Sequence, residues 1–131
     1  NYPEKSNDTF KLETKISSIE GRYKTTKKIS KNYFEKIKDN GYFDDKYGIC
    51  KPLLNVIYER EYFKKDNIRI TIDTNIEYNL YNNKFSKRDK NIIVELKTSK
   101  NQDIDDLFEQ FPFQEIRFSK YCNGIDLFNI N

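Results

Sequence analysis

The sequence contains no histidine. No imidazole can therefore serve as a general base or metal ligand, and any metal must be held through oxygen, which favours Mg²⁺ or Mn²⁺ over Zn²⁺. Tryptophan is also absent, and the two cysteines, Cys50 and Cys122, lie far apart with no CxxC or zinc-type spacing. They are expected to be buried free thiols in a reducing compartment. No apolar run approaches the length of a membrane span and no signal peptide is visible, so this segment is expected to be soluble and cytoplasmic, any membrane association coming from flanking sequence or a partner. A large charge excess is missing as well: 24 basic against 21 acidic residues leave a net +3. That balance argues against a chain that coats nucleic acid, and a basic site has to arise from geometry rather than bulk charge. No solenoid-length repeat and no low-complexity segment occurs. The chain starts at Asn1 rather than a methionine and reads as an excised piece. Its 131 residues suit one domain, long enough for a core but short for a large enzyme.

What is abundant is charge, at 34%, and tyrosine with phenylalanine, at 15%. These residues fall into alternating runs. In 54–73, LNVIYEREYFKKDNIRITID, the second arm alternates Arg69, Thr71 and Asp73 with Ile68, Ile70 and Ile72, the period of a half-buried strand. A turn over 64–67 would pair Phe63 with Ile68 and Arg60 with Thr71. Arg60 and Arg69 would then be diagonal neighbours roughly 7–8 Å apart on one face, with Ile68, Ile70 and Ile72 packing on the other beneath a helix. Paired guanidinium forks suit phosphate oxygens.

Residues 9–17 form another expected strand, with Phe10, Leu12, Thr14 and Ile16 on one side and Lys11, Glu13, Lys15 and Ser17 on the other. A turn over 18–21 leads to a basic strand, 22–28, in which Arg22, Lys24 and Lys28 share a face and Lys27 takes the other. Ser30 should cap a helix over 31–39 whose narrow apolar stripe lies on a sheet. Residues 42–51 read as a loop, 75–81 as a further strand and 82–90 as a polar loop suited to mobility. The run 91–98, NIIVELKT, is strongly strand-like. Asp103 should cap a short helix, 104–110, and 116–121 alternates once more.

Two Glu-x-Lys pairs, Glu13/Lys15 and Glu95/Lys97, lie on the polar faces of otherwise apolar strands. Two readings stay open on the residues alone. These can be solvated ion pairs of an ordinary twisted sheet, each worth little. Alternatively, antiparallel strands can curl into a barrel whose interior, lined with Lys, Arg and Glu, handles phosphate chains.

The ordered set LETK, a basic strand after Gly21, YEREYF, NIRITID, IIVELKT and RFSKYCNGI resembles the C-terminal part of the VTC (vacuolar transporter chaperone) domain. That family of polyphosphate polymerases belongs to the triphosphate tunnel metalloenzymes. The resemblance implies an α+β fold in which an antiparallel sheet curls into a β-tunnel with flanking helices, incomplete if upstream strands are missing. It implies transfer of the γ-phosphate of a nucleoside triphosphate, with ATP the expected donor, to a growing polyphosphate with Mn²⁺ or Mg²⁺. Alternatives are a polyphosphate-binding module without turnover and a triphosphate hydrolase.

Position by position, Arg60, Arg69, Lys97 and Lys120 become catalytic phosphate contacts, with Lys15 and Ser119 also on phosphate. The second basic strand contributes Lys24 or Lys28, the match being open between Lys24 and the Lys27–Lys28 pair. Glu95 becomes the metal carboxylate, assisted by Glu13. The expected partners are nucleotide and polyphosphate rather than nucleic acid. A membrane-associated partner of the longer protein and pairing of chains through open sheet edges are further expectations.

Overall fold

The computed structural model describes residues 10–19, 21–98, 114, 116–119 and 120–130. The architecture is α+β with only antiparallel pairing: eight strands and two helices among the described residues. The strands form two two-stranded sheets and one larger sheet, and none of these closes on itself. The chain divides into two compact units at Pro52/Leu53.

In the N-terminal unit, β1 (Phe10–Ser18) pairs with β2 (Gly21–Ile29) across a tight turn, with Ser18 opposite Gly21. The register sets Lys11, Glu13 and Lys15 opposite Lys28, Thr26 and Lys24, so they share one face of the hairpin. Phe10, Leu12 and Ile29 belong to the other face. There Phe10 stacks on Phe34 of α1 (Lys31–Asn40), ring centroids 4.5 Å apart, which seats the helix on the hairpin as its apolar stripe requires. Ser30 caps α1 by accepting from the Tyr33 amide at 3.2 Å, and Gly41 at φ 88 ends it.

Residues 42–51 are not a plain loop. They hold a small hairpin, β3 (Tyr42–Asp44) and β4 (Gly48–Cys50), nucleated by the Asp44 carboxylate, which accepts from the amides of Lys46 and Tyr47 at 2.9 and 3.1 Å. Both cysteines are free, as expected, but exposed rather than buried.

The C-terminal unit is built on β6 (Ile68–Leu80). One edge pairs with β5 (Leu54–Lys65), the other with β8 (Ile93–Thr98) along its first half and β7 (Ser86–Arg88) along its second. The segment 75–81 therefore continues β6, and part of the expected mobile loop is a strand. The β5–β6 turn is only Asp66–Asn67, with Asp66 at φ 50, a conformation aspartate tolerates. Arg60 consequently faces Asp73, Tyr62 faces Thr71 and Lys64 faces Arg69. This corrects the register by two residues: the same side chains share a face, but Arg60 and Arg69 are no longer diagonal neighbours.

Between Ile57 and Glu59 the register shifts because β6 carries one extra residue, with Asn75 at φ 51. The bulge rephases the strand. Arg69, Thr71 and Asp73 before it share a face with Ile76, Tyr78 and Leu80 after it. Helix α2 (Lys120–Leu127) docks on the second half of that face, where Gly124 is buried against Leu54 and Tyr78. Ile76 and Tyr78 are completely buried there. Asn123 fastens the helix by donating to the Tyr78 hydroxyl at 3.0 Å and to Asp89 at 2.8 Å, while Lys87 donates to the Leu127 carbonyl.

The expectation of a helix-covered isoleucine face is not met by α2, which lies on the other face. Ile68, Ile70 and Ile72 are half-buried, and their neighbours Phe63 and Val94 are 45% and 42% exposed. The expected helix 104–110 lies outside the described residues.

Candidate phosphate-binding face

Cross-strand pairing lays out the first half of the α2-bearing face in rows. The first row, nearest the β5–β6 turn, is Lys64–Arg69–Lys97, the second Tyr62–Thr71–Glu95 and the third Arg60–Asp73–Ile93. Side chains directly opposite stand about 5 Å apart, and successive rows follow at about 7 Å. Three cations abreast repel one another, and like charges directly opposite destabilise a sheet. Among the described residues no carboxylate ion-pairs with Lys64 or Arg69; Lys97 reaches sideways to Glu95 at 2.8 Å. The Lys97 bond, outweighing partial burial, holds the Glu95 carboxyl below its ordinary range.

The third row is organised around Asp73, only 1% exposed. Arg60 grips its carboxylate with both fork nitrogens, Nε to Oδ1 at 2.5 Å and Nη2 to Oδ2 at 2.7 Å, and Lys120 Nζ from α2 joins it at Oδ2. Burial opposes a charge on Asp73, but the hydrogen bonds from Arg60 and Lys120 together outweigh it and hold the carboxyl below its usual range. Bonding to Asp73 likewise raises Arg60 above the ordinary guanidinium range. Tyr58 floors this cluster: the Arg60 guanidinium lies 5.1 Å and the Lys120 ammonium 4.8 Å from its ring centroid. Asp73 thus lets two cations sit side by side without folding them apart.

Arg60, Arg69, Lys97, Lys120 and Glu95 are all brought to one face of one unit. Lys120 arrives there because Ser119, expected to touch phosphate on an alternating segment, instead caps α2, its hydroxyl accepting from the Cys122 amide at 3.4 Å. The helix overrides the alternation read in 116–121. Lys15, Lys24 and Lys28 share the cationic face of the β1–β2 hairpin with Lys11 and Arg22, and Lys27 falls on the other face. Glu13 there bonds Lys24 at 2.8 Å, and that hydrogen bond lowers its carboxyl. Lys64, expected in the turn, stands in β5 opposite Arg69, and Asp73 takes a central place that alternation does not reveal. The Asp66–Asn67 dipeptide was the available signal for a two-residue turn and hence for Lys64 opposite Arg69.

A family model, the VTC domain, matches residues 1–129. The chain belongs to the VTC domain family. No curated protein and no solved structure matches it. VTC domains are associated with polyphosphate polymerase function, and membership gives this chain a polyphosphate-related role. In this VTC domain the face just described carries four of the expected phosphate-binding cations plus Lys64, against the carboxylates Asp73 and Glu95. It therefore keeps uncompensated positive charge on a half-covered surface, the electrostatic condition for holding a polyanion. Among the described residues no three carboxylate or cysteine side chains gather as a metal cage. Glu95, partly exposed and ion-paired among the described residues with Lys97, is a single carboxylate of the kind Mg²⁺ or Mn²⁺ uses when phosphate oxygens and water complete its shell.

Proposed function

We propose that this chain is the polyphosphate-handling part of a metal-dependent phosphotransferase. A terminal oxygen of a polyphosphate chain attacks the γ-phosphorus of a nucleoside triphosphate, with ATP the expected donor. One P–O bond forms, the β–γ bridge breaks, and the nucleoside diphosphate leaves. The work of the protein is to position two polyanions and absorb charge, which needs little covalent participation. The observation that supports it best is the cationic face: Arg60 and Lys120 fixed by Asp73, with Lys64, Arg69 and Lys97 abreast.

Arg60 and Lys120 are held in place before substrate arrives, so little side-chain entropy is lost on binding. Arg69 and Lys64, with no carboxylate partner among the described residues, supply the uncompensated charge that recruits phosphate oxygens, beside Lys97, which is shared with Glu95. A divalent cation held by Glu95 would neutralise charge on the transferred phosphoryl group. Enclosure of the chain in a tunnel, as the family implies, is part of the same proposal. The test is polyphosphate formation from ATP with Mn²⁺ or Mg²⁺ by the full-length protein. Glu95→Ala should lower it by at least about tenfold, in line with loss of one charge-stabilising group; undiminished product from that variant removes the metal role.

A binding module without turnover is the second reading. It is favoured by the second basic strand, where Thr25 and Thr26, opposite Thr14 and Glu13, interrupt the run of cations. Tight, salt-sensitive polyphosphate binding with no nucleotide consumption would establish it. Orthophosphate release without chain growth would instead mark a hydrolase.

A further inference from the structure

Thr71 sits in the middle row of the face, between Tyr62 on β5 and Glu95 on β8, with Arg69 two residues before it and Asp73 two after. It is 7% exposed, and its hydroxyl has no hydrogen-bond partner among the described residues. Leaving a buried hydroxyl unpaired destabilises a fold, and valine would fill the same volume in the middle of a strand with no such cost. Nothing in the sheet uses the Oγ1 atom. The side chains of its flanking neighbours, Tyr62 and Glu95, are themselves partly exposed and can shift without opening a packed core.

From this we infer that the Thr71 hydroxyl is a ligand-binding group, donating to an oxygen of a linear phosphate chain laid across the Lys64–Arg69–Lys97 row toward Arg60. The inference rests on the phosphate-binding reading of the face and adds a neutral donor to its cations. A hydroxyl there does what another lysine cannot. It sets the chain's depth and register without increasing the repulsion between cations already abreast.

Inorganic tripolyphosphate, titrated calorimetrically into the full-length protein at fixed ionic strength, is the probe. Thr71→Val keeps shape and removes the donor; Thr71→Ser keeps the donor and removes a methyl group. Thr71→Val should bind about tenfold more weakly, as expected for a lost hydrogen bond to a charged acceptor, with an unchanged or higher melting temperature. Thr71→Ser should bind like the wild type. Equal affinity of Thr71→Val and wild type overturns the inference while leaving the phosphate-binding face intact. A melting temperature lowered by Thr71→Val, with affinity kept, shows a structural hydroxyl and overturns it too. Absence of tripolyphosphate binding by the wild type overturns the face and the inference together.

Discussion

Asp73 stays ionised in a place from which water is nearly excluded, because Arg60 and Lys120 cost less to keep with it than without it. Its folded carboxyl titrates below the unfolded value of about 3.9, so the native state takes up that proton less readily than the unfolded chain. The stability this provides is complete above the unfolded value and is lost as the pH falls through the folded one. Asp73→Asn, which strips Arg60 and Lys120 of their buried counter-charge, should cost about 3–5 kcal/mol at neutral pH, and it should flatten the acid limb of a melting curve recorded from pH 6 downward. Arg60→Ala removes the bidentate partner of a buried charge but leaves Lys120, so a loss of about 1–3 kcal/mol is expected by denaturant titration. Arg69→Ala should leave the melting temperature unchanged or slightly higher, since it relieves the cation row, while weakening tripolyphosphate binding. The two arginines, alike as phosphate contacts in the sequence, are thus separable by stability. In the proposed reading Arg60 is a structural partner as well as a phosphate contact, and Arg69 is a phosphate contact alone.

At the scale of the element, β6 and α2 decide whether the face exists. A Cβ on Gly124 would lie 2.5 Å from Leu54 Cδ2 and 2.6 Å from Tyr78 Cδ1, both in the packed seat of the helix. Gly124→Ala should push α2 off the sheet at a cost of about 1–3 kcal/mol, seen as a lowered unfolding midpoint. It should also weaken tripolyphosphate binding, because Lys120 travels with the helix.

Much of this was legible in the residues. Alternation in 68–73 and 93–98 fixed which side chains share a face, and that survives a two-residue change of register because the period of a strand is two. The register itself depended on whether Lys64 and Lys65 belong to the turn or the strand, which alternation alone does not settle. The bulge at Asn75 was hidden, since its positive φ is a tertiary solution that lets Ile76 and Tyr78 join the face of Asp73. Strand β7 owes its existence to pairing with Glu77–Asn79, where Arg88 and Ser86 meet Glu77, rather than to any pattern of its own. In 116–121 the cap signal of Ser119 outranked an apparent alternation.

Across the whole molecule, near-neutral composition and strongly cationic faces coexist because the register sorts charges rather than adding them. The β1–β2 hairpin shows the same sorting, with Lys11, Lys15, Arg22, Lys24 and Lys28 on one side. Polyphosphate affinity should accordingly fall steeply with added salt, despite a net charge of only +3. The most direct test of the central claim is a crystal structure of the protein with tripolyphosphate and Mn²⁺. Phosphate oxygens about 2.7–3.1 Å from Arg69 and from Arg60 or Lys120 are the predicted result. Phosphate ordered elsewhere, with the Lys64–Arg69–Lys97 row left bare, would contradict it.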